Sequence, residues 1–186
     1  MDVTCLEDDA RFAQLYARYH RPIWDYCSRR VPTDVVDDIV ADTFLTVWRR
    51  LGDVPDGEEA LLWMYGVAYR EIGHQWRSAA RRSQLHERLR SVRPEPVAAG
   101  GEPVVEGVDH RLVLAALAAL GETDAEVLRL VVWEHLSVTA VATVLGIRLN
   151  AARQRLHRAR RNLVREYAKL QSRPTSTSAA PKGRAR

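Results

Sequence analysis

Residues Ser137 to Arg165, with the sequence SVTAVATVLGIRLNAARQRLHRARRNLVR, decide the fold of this chain. Ser137 is predicted to cap a short helix whose apolar face continues to Leu145. Gly146 then supplies the left-handed backbone position that commonly ends a helix. A second helix is predicted because apolar residues recur at spacings of four, three and four: Ala152, Leu156, Ala159 and Leu163. The stretch is therefore predicted to be a helix-turn-helix.

The second of these helices is basic on one side. Between Ile147 and Arg165 there are seven arginines and no acidic residue. A helix that packs on one face and presents Arg, Gln and His on the other suits the major groove of duplex DNA. A solvated charged face is the alternative, but such faces usually mix both signs. The side chains predicted to point away from the core are Gln154, His157, Arg158, Arg161 and Arg165, with Arg153 and Arg155 on the flanks.

Composition excludes several classes of function. The chain has 186 residues and is 46% hydrophobic, which predicts a folded protein. Its net charge of +4 is modest, so local clustering of charge is more informative than the total. No apolar run approaches the roughly 20 residues of a membrane span, and the acidic start does not resemble a signal peptide. Cys5 and Cys27 lack metal-ligand spacing and are expected to be free thiols in a reducing cytoplasm, with no metal and no cofactor.

The pattern along the chain predicts an all-α protein of two small helical domains joined by a flexible linker. The first domain covers residues 9–82 and the second covers residues 109–169. The linker is placed at residues 83–108, because its segment 91–108 gathers prolines and glycines and lacks a helical face. The tail, residues 170–186, is polar and is predicted to be disordered. In the second domain, Thr123 and Glu126 fit a capping box, and two helices ahead of the helix-turn-helix make a four-helix domain.

An acidic helix is predicted in the first domain. The segment DVVDDIVADTFLTVWRR, residues 34–50, buries Val36, Val40, Thr43 and Val47 on one side. Its carboxylates lie mostly elsewhere and form an acidic surface: Asp37, Asp38 and Asp42. Three nearby carboxylates also suggest a hard-metal site, but no other ligand cluster supports one. A partner-docking surface is the favoured interpretation.

A later helix of the first domain carries two stripes. The core stripe is Leu62, Tyr65, Tyr69, Ile72 and Trp76, at spacings of three and four. The other stripe is basic and has Trp63 near it: Arg70, His74, Arg77 and Arg81. Phosphates attract the charges and unpaired bases stack on an aromatic ring, so this face suits single-stranded or melting DNA. Trp63 is equally compatible with a place in the core.

Taken in order, these segments resemble an extracytoplasmic-function (ECF) sigma factor of the bacterial sigma-70 family. The resemblance covers roughly residues 11–165. It is carried jointly by DVVDDIVADTFLTVWRR, by WMYGVAYREIGHQWRS, by the linker, and by TDAEVLRLVVWEHLSVTAVATVLGI followed by RQRLHRARRNL. The chain departs from the family in places: Arg148 stands where Ser is usual, and Tyr69-Arg70 stand where an Arg-Asn pair is often found. Promoter sequence is therefore not carried over.

The resemblance implies a transcription initiation factor without catalytic residues or a small-molecule substrate. The implied partners are bacterial RNA polymerase core (the beta-prime clamp helices and the beta flap), promoter DNA and an anti-sigma factor. The implied location is the cytoplasm, at the nucleoid or held at the membrane by an anti-sigma factor. An extended segment 91–108 spans up to roughly 60 Å at about 3.3 Å per residue, which suits separated promoter elements.

The resemblance also assigns the residues to three surfaces. Polymerase binding is assigned to Asp37, Asp38, Asp42 and Leu45. Recognition of the minus-10 element is assigned to Asp53, Trp63, Arg70, His74, Arg77 and Arg81. Recognition of the minus-35 element is assigned to Asn150, Arg153, Gln154, Arg155, His157, Arg158 and Arg161. Asn150 either caps its helix or meets a base.

Two other classes of function compete with this interpretation. One is a stand-alone helix-turn-helix regulator whose first domain senses a signal. The other is a magnesium-dependent enzyme acting on nucleic acid through Asp37, Asp38 and Asp42. The enzyme requires carboxylates that converge on one pocket, whereas the helical spacing spreads these three.

Overall fold

The computed structural model describes residues 3–87 and 109–172, and within these ranges the regular structure is helical. The helices are α1 (Val3–Ser28), α2 (Val36–Arg49), α3 (Glu59–Glu87), α4 (His110–Ala118), α5 (Glu122–Val132), α6 (Val138–Leu145) and α7 (Leu149–Gln171). Single turns of 3-10 helix, Thr33–Val35 and Leu51–Asp53, precede α2 and follow it. The predicted all-α class is confirmed. The predicted linker lies outside the described residues from position 88 onward, as does the predicted tail from position 173.

Helices α1, α2 and α3 pack on one another as the first helical group. The apolar face predicted for α2 is buried in full, with Ile39 and Phe44 added to it. This burial follows from the spacing of three and four residues, which keeps one side of α2 against α1 and α3. The acidic side of α2 is thereby turned to solvent.

Helices α4 to α7 form the second group, in which α7 packs on the other three. The side chain of Ser137 accepts a hydrogen bond from the backbone N–H of Ala140 at 3.2 Å, so it caps α6 as predicted. Gly146 ends α6 with φ +63°, the left-handed conformation that favours glycine. Ala152, Leu156 and Ala159 are buried on α7. The helix-turn-helix and the four-helix group are therefore present.

The capping box predicted at Thr123 is wrong. Helix α5 begins at Glu122, and Gly121 occupies its N-cap position. Glu126 does not reach back to the start of the helix. Its side chain is 1% exposed and accepts hydrogen bonds from Arg30 and Tyr26 of the first group. Sequence spacing cannot reveal this partner, since the residues concerned are 96 and 100 positions apart.

The two helical groups pack directly against each other, because α6 lies on α3. Helix α3 is consequently covered on more than one side, and Met64, Val67 and Ala68 are buried along with the predicted Tyr65 and Ile72. Trp76, predicted as core, is instead 37% exposed. Buried residues of both groups belong to one contiguous apolar cluster.

Within residues 3–87 and 109–172, none of the helices has the length and hydrophobicity needed to cross a lipid bilayer.

We expect Ile39→Ala to lower the free energy of unfolding by about 2–5 kcal/mol, because Ile39 is fully buried and truncation leaves a cavity. Urea denaturation followed by circular dichroism measures the change. The control is Leu45→Ala, which truncates a 43% exposed side chain on the same helix and should cost less than about 1 kcal/mol. Equal losses in the two variants would contradict the packing of α2.

Candidate nucleic-acid interface and docking surface

The outer face of α7 is exposed and basic. Among the residues assigned to duplex DNA, Arg155 is half-buried. The other six are exposed: Asn150, Arg153, Gln154, His157, Arg158 and Arg161. Their side chains project from α7 opposite the buried Ala152, Leu156 and Ala159. The helix therefore has the two-sided character that the sequence predicts.

The first turn of α7 decides between two roles for Asn150. Helix α7 begins at Leu149 with Arg148 in the N-cap position, so Asn150 lies inside the first turn. Its side chain is exposed there. This geometry excludes a capping role for Asn150.

Arg158 makes one weak ion pair on this face. Its Nε atom lies 3.5 Å from a carboxylate oxygen of Asp124, and its side chain is 60% exposed. Exposed pairs of this kind contribute little to stability, because water screens the charges. Arg158 is therefore only weakly held by Asp124.

A second basic surface lies on α3. Arg70, His74 and Arg77 are exposed on it, whereas the side chain of Arg81 lies outside the described residues. Trp63 is half-buried and packs against the core, and the guanidinium of Arg50 lies 5.5 Å from the centre of its ring. Part of the Trp63 ring thus lies in the core and part of it is accessible.

The loop before α3 is fastened to α1 by Arg11, a residue that sequence reasoning missed. Arg11 donates hydrogen bonds to the backbone oxygens of Leu51 (3.3 Å) and Val54 (2.8 Å) and to the carboxylate of Asp56 (3.1 Å). The hydroxyl of Tyr19 donates to the backbone oxygen of Gly57 at 2.9 Å. No local pattern links positions 40 residues apart, so the sequence carried no signal for these contacts.

This loop borders a cleft of about 200 Å³ between itself and α1. Arg11, Arg18, Tyr19 and Asp56 are among its lining residues. Asp53 lies outside the cleft and is held by Arg50 at 2.9 Å. Of the two loop aspartates, it is therefore Asp56 that faces the cleft.

The acidic surface of α2 is solvent-exposed. Asp38, Asp42 and Leu45 share one line along the helix, since they are spaced by four and three residues. Asp37, also exposed, accepts a hydrogen bond from the indole N–H of Trp24 at 3.0 Å. Among the described residues, no group of His, Cys, Asp and Glu is arranged to hold a metal ion. The metal alternative for these carboxylates thus finds no geometric support.

An aromatic patch continues this surface and was not predicted. Tyr16 and Trp48 are 44% and 42% exposed, large fractions for such residues. Phe12 lies between them, with its ring centre 5.1 Å from that of Trp48 and 6.2 Å from that of Tyr16. Trp48 follows Leu45 by three residues, so helical spacing alone would have placed it beside the acidic line. An acidic line with an apolar margin is suited to docking a protein partner.

A further cleft, of about 270 Å³, lies between α3 and the start of α5. Its lining residues include Tyr69, Arg70, Trp76 and Arg77 of α3 and Glu122 of α5. Burial raises the pKa of Glu122 and that of the Tyr69 hydroxyl above their ordinary values. A carboxyl group of the second helical group, that of Glu122, thus lies beside the basic surface of α3.

Comparison with known protein families gives two matches in the order of the helical groups. The model of Sigma-70 region 2 matches residues 15–82. The model of Sigma-70 region 4 matches residues 110–163. The first range contains the acidic line and the basic surface of α3, and the second contains the helix-turn-helix.

Individual relatives match across both groups. The chain is 31% identical over 160 residues to the RNA polymerase sigma factor CnrH of Cupriavidus metallidurans, a match that covers 82% of this chain and 84% of the relative. It is 29% identical over 153 residues to the ECF RNA polymerase sigma factor SigL of Mycobacterium tuberculosis, covering 80% and 84%.

The fold also matches that of solved structures. The sigma factor RpoE of Bartonella quintana, solved in complex with the anti-sigma factor NepR, gives a TM-score of 0.66 at 23% identity, over 86% of this chain and 97% of that one. CnrH in complex with the cytosolic domain of CnrY gives 0.55 at 24% identity, over 87% and 88%.

We expect Arg161→Ala to reduce the salt dependence of binding to a short DNA duplex. Each phosphate contact contributes about −0.9 to the slope of log K against log salt concentration, so losing one contact should flatten the slope by about 1. Fluorescence anisotropy over a series of salt concentrations measures it. Lys169→Ala is the control, since Lys169 pairs with Glu166 at 2.9 Å near the end of α7. A slope unchanged by Arg161→Ala would remove Arg161 from the interface.

Proposed function

This chain belongs to the sigma-70 family of RNA polymerase sigma factors, in its extracytoplasmic-function group, and on that premise we propose which of its surfaces serves each step of initiation. The protein is an RNA polymerase sigma factor, which binds core polymerase and promoter DNA. One observation carries this conclusion: the region 2 and region 4 models match in order, and a relative 31% identical covers both. The alternative of a stand-alone regulator is not favoured, because helix-turn-helix similarity alone would leave the first group unmatched.

The region 2 domain is assigned to residues 9–82 and the region 4 domain to residues 109–169, with a linker at 83–108 and a tail at 170–186. Each assigned domain covers most of one of the two packed helical groups, although α1 begins at Val3 and α7 ends at Gln171. Helix α3 continues to Glu87, past the assigned end of region 2. This continuation makes the first residues of the linker a helical extension of α3.

Polymerase binding is assigned to the acidic line of α2. Asp38, Asp42 and Leu45 are exposed on one side of the helix, and Asp37 stands beside them. Trp48 and Tyr16 extend the contact with apolar area. Carboxylates around an apolar margin favour a partner of opposite charge, such as the clamp helices of the beta-prime subunit, and they favour rapid association with it.

Recognition of the minus-10 element is assigned to α3 and the loop before it. Arg70, His74, Arg77 and Arg81 provide positive charge for a separated strand, and Trp63 provides a partly accessible ring for stacking. Asp53 belongs to the loop, where it pairs with Arg50. The adjacent cleft beneath Asp56 supports capture of an unpaired base at the same end of region 2.

Recognition of the minus-35 element is assigned to the exposed face of α7. Arg153, Gln154, His157 and Arg158 are the proposed base readers, because Arg and Gln pair with base edges through two hydrogen bonds. Asn150 lies at the N-terminal end of this row, and Arg155 and Arg161 lie where phosphates would flank it. The beta flap is the proposed polymerase contact of region 4.

The same assignment accounts for the partners and the chemistry. A sigma factor is an initiation factor, and we assign no catalytic residue to this chain, since the polymerase forms the phosphodiester bonds.

The related proteins RpoE and CnrH were solved bound to NepR and to the cytosolic domain of CnrY. We infer that this chain likewise has an anti-sigma partner, and that it acts in the cytoplasm, at the nucleoid or held at the membrane through that partner.

The function is tested by transcription with sigma-free bacterial core polymerase. Adding the purified chain to core polymerase and genomic DNA should produce discrete transcript starts that share a two-part upstream motif. Sequencing of transcript 5′ ends measures this. Core polymerase without the chain is the control. If the transcripts start at the same scattered positions with and without the chain, the proposed function is wrong.

We expect the double variant Asp38→Lys with Asp42→Lys to lose binding to core polymerase, at least tenfold in affinity, while its helical content stays unchanged. Two reversals place like charges against a basic partner, and both residues are exposed. Co-elution on size exclusion and circular dichroism measure the two effects. The matched control reverses Glu7 and Asp8, which are exposed on α1 and carry the same charge. Normal co-elution of the α2 variant would refute the docking assignment.

A further inference from the structure

The loop between α2 and α3 is attached to α1 mainly through one arginine. The Nη2 atom of Arg11 donates to the backbone oxygen of Val54 at 2.8 Å and to Oδ1 of Asp56 at 3.1 Å. Its Nη1 atom donates to the backbone oxygen of Leu51 at 3.3 Å. Among the described residues, no backbone N–H group of α1 or α2 donates to residues 54–57. The attachment of this loop to α1 therefore depends on side chains, chiefly on that of Arg11.

The two bonds to backbone oxygens carry most of this attachment. Leu51 and Val54 are 7% and 3% exposed, so water has little access to their carbonyl groups. A carbonyl oxygen that lost its donor there would stay unsatisfied, which is costly. The side chain of Asp56 is 97% exposed, and water screens an ion pair at such a site. The bond from Arg11 to Asp56 therefore orients the carboxylate more than it stabilises the loop.

Three acceptors in different directions require a guanidinium group. Arginine presents five N–H donors in a rigid planar fork, whereas lysine has a single ammonium group at the end of a flexible chain. Arg11 uses one Nη atom for Leu51 and the other for Val54 and Asp56. A lysine at position 11 would keep the positive charge without reproducing these bonds. The contribution of Arg11 is thus the shape of its donor group as well as its charge.

Tyr19 fastens the other end of the same loop. Its hydroxyl donates to the backbone oxygen of Gly57 at 2.9 Å, and its side chain is buried. Tyr19 follows Arg11 by eight residues, or about 12 Å along α1. Both residues line the cleft between α1 and the loop. The loop is therefore held at two points, and these two points border the cleft.

The cleft has the size and the lining for one planar base. Its volume of about 200 Å³ is below the roughly 300 Å³ at which pockets for drug-sized ligands begin. Gln14 and Arg18 are exposed and line the side formed by α1. The guanidinium of Arg18 lies 5.2 Å from the centre of the Tyr19 ring, and a guanidinium plane is a stacking surface for an unpaired base. Asp56 lines the side formed by the loop.

The carboxylate of Asp56 gives the cleft a preference among the bases. A carboxylate only accepts hydrogen bonds, and its Oδ1 atom is engaged by Arg11. The Oδ2 atom is left for a ligand, since the side chain is 97% exposed. Adenine, cytosine and guanine carry an amino group that donates to such an oxygen, whereas thymine carries none. A base held in this cleft is therefore expected to bear an amino group.

We propose that Arg11 is a positioning residue for minus-10 recognition. It clips residues 51–57 to α1, holds Asp56 at the rim of the cleft, and thereby makes the cleft select a base with an amino group over thymine. The selection rests on the minus-10 role proposed for this end of region 2, whereas the clip itself does not.

Amide hydrogen exchange of the full chain, followed by two-dimensional NMR, tests the clip. The N–H groups of Asp53 and Val54 donate to the backbone oxygens of Arg50 at 2.8 Å and Leu51 at 3.2 Å, so their exchange reports opening of the loop. Arg11→Ala and Arg11→Lys should each speed this exchange by about tenfold or more, since both lose a charge-assisted bond to a buried oxygen. Exchange at the unmodified rate in Arg11→Ala would overturn the clip.

Arg18→Ala is the matched control for the lost charge. Arg18 lies on α1 and lines the same cleft, but the bonds to the loop oxygens come from Arg11 and Tyr19. This control should leave the exchange of the loop unchanged. The amide of Ala68, buried in α3, is the reference for general loss of stability in each spectrum. Tyr19→Phe removes only the bond to Gly57 and supplies a second loosened loop if the Arg11 variants fail to fold.

Transcription from a promoter library with a randomised minus-10 element tests the selection. With core polymerase, the unmodified chain should reject thymine about tenfold or more at one position, as read by sequencing the transcripts. Arg11→Ala and Arg11→Lys should both reduce this rejection to about threefold or less and leave the preferences at the other positions unchanged. Asp56→Asn should also admit thymine there, because an amide group donates to its O4 atom. Equal use of thymine by the unmodified chain at every position would refute the selection.

A plain phosphate contact is the competing role for Arg11, and the lysine variant separates the two. For a phosphate contact, Arg11→Lys would behave like the unmodified chain and Arg11→Ala would weaken all promoters alike, a result that would overturn the positioning role. Arg21→Ala removes an exposed charge of α1 outside the cleft and should leave every base preference unchanged. If the unmodified chain directs no discrete starts, the proposed function and the selection both fall, while the amide exchange still decides the clip.

Discussion

The arrangement of this protein depends on one buried cation, Arg30, held between the carboxylates of Glu126 and Glu134. Burial acts to lower the pKa of its guanidinium, but Tyr26 and the two carboxylates outweigh that effect and raise it, so Arg30 stays charged. A charge that stays buried requires its partners in place, because leaving it alone in the interior is costly. The position of region 4 on region 2 follows from this requirement. Apolar contacts between α3 and α6 add attraction, whereas the ion pairs select one register.

Around this centre, the surfaces assigned to partners point outward in different directions. The acidic line of α2, with Leu45 and Trp48, remains available to polymerase while the two groups are in contact. The basic face of α7 remains exposed to duplex DNA. The α3 surface assigned to a separated strand borders the other helical group at Glu122.

Local signals in the sequence predicted much of this fold correctly. Ser137 and Gly146 act within a few residues of themselves, so a cap and a left-handed turn can be recognised without tertiary information. The apolar spacing of α2 and α7 likewise identified their buried faces. The failures lie where a distant segment intervened. Glu126 was interpreted as a capping residue and Arg11 was not noticed, because both have partners that are remote in sequence. Trp76 was interpreted as core from its spacing but is 37% exposed.

The sequence by itself determined the helical class, the acidic and basic faces, the helix-turn-helix and the family, since each follows from the residue types and their order. Only the tertiary structure decided which charges are buried together and which face of α3 is covered. The physical reason is the range of the interactions: helix periodicity and capping act over three or four residues, whereas the pairing of Arg30 with Glu126 joins positions 96 apart. Glycine at position 66 illustrates the difference. Its sequence context is an ordinary helix, and only the tertiary structure shows that a Cβ atom there would lie 3.0 Å from the backbone oxygen of Val144.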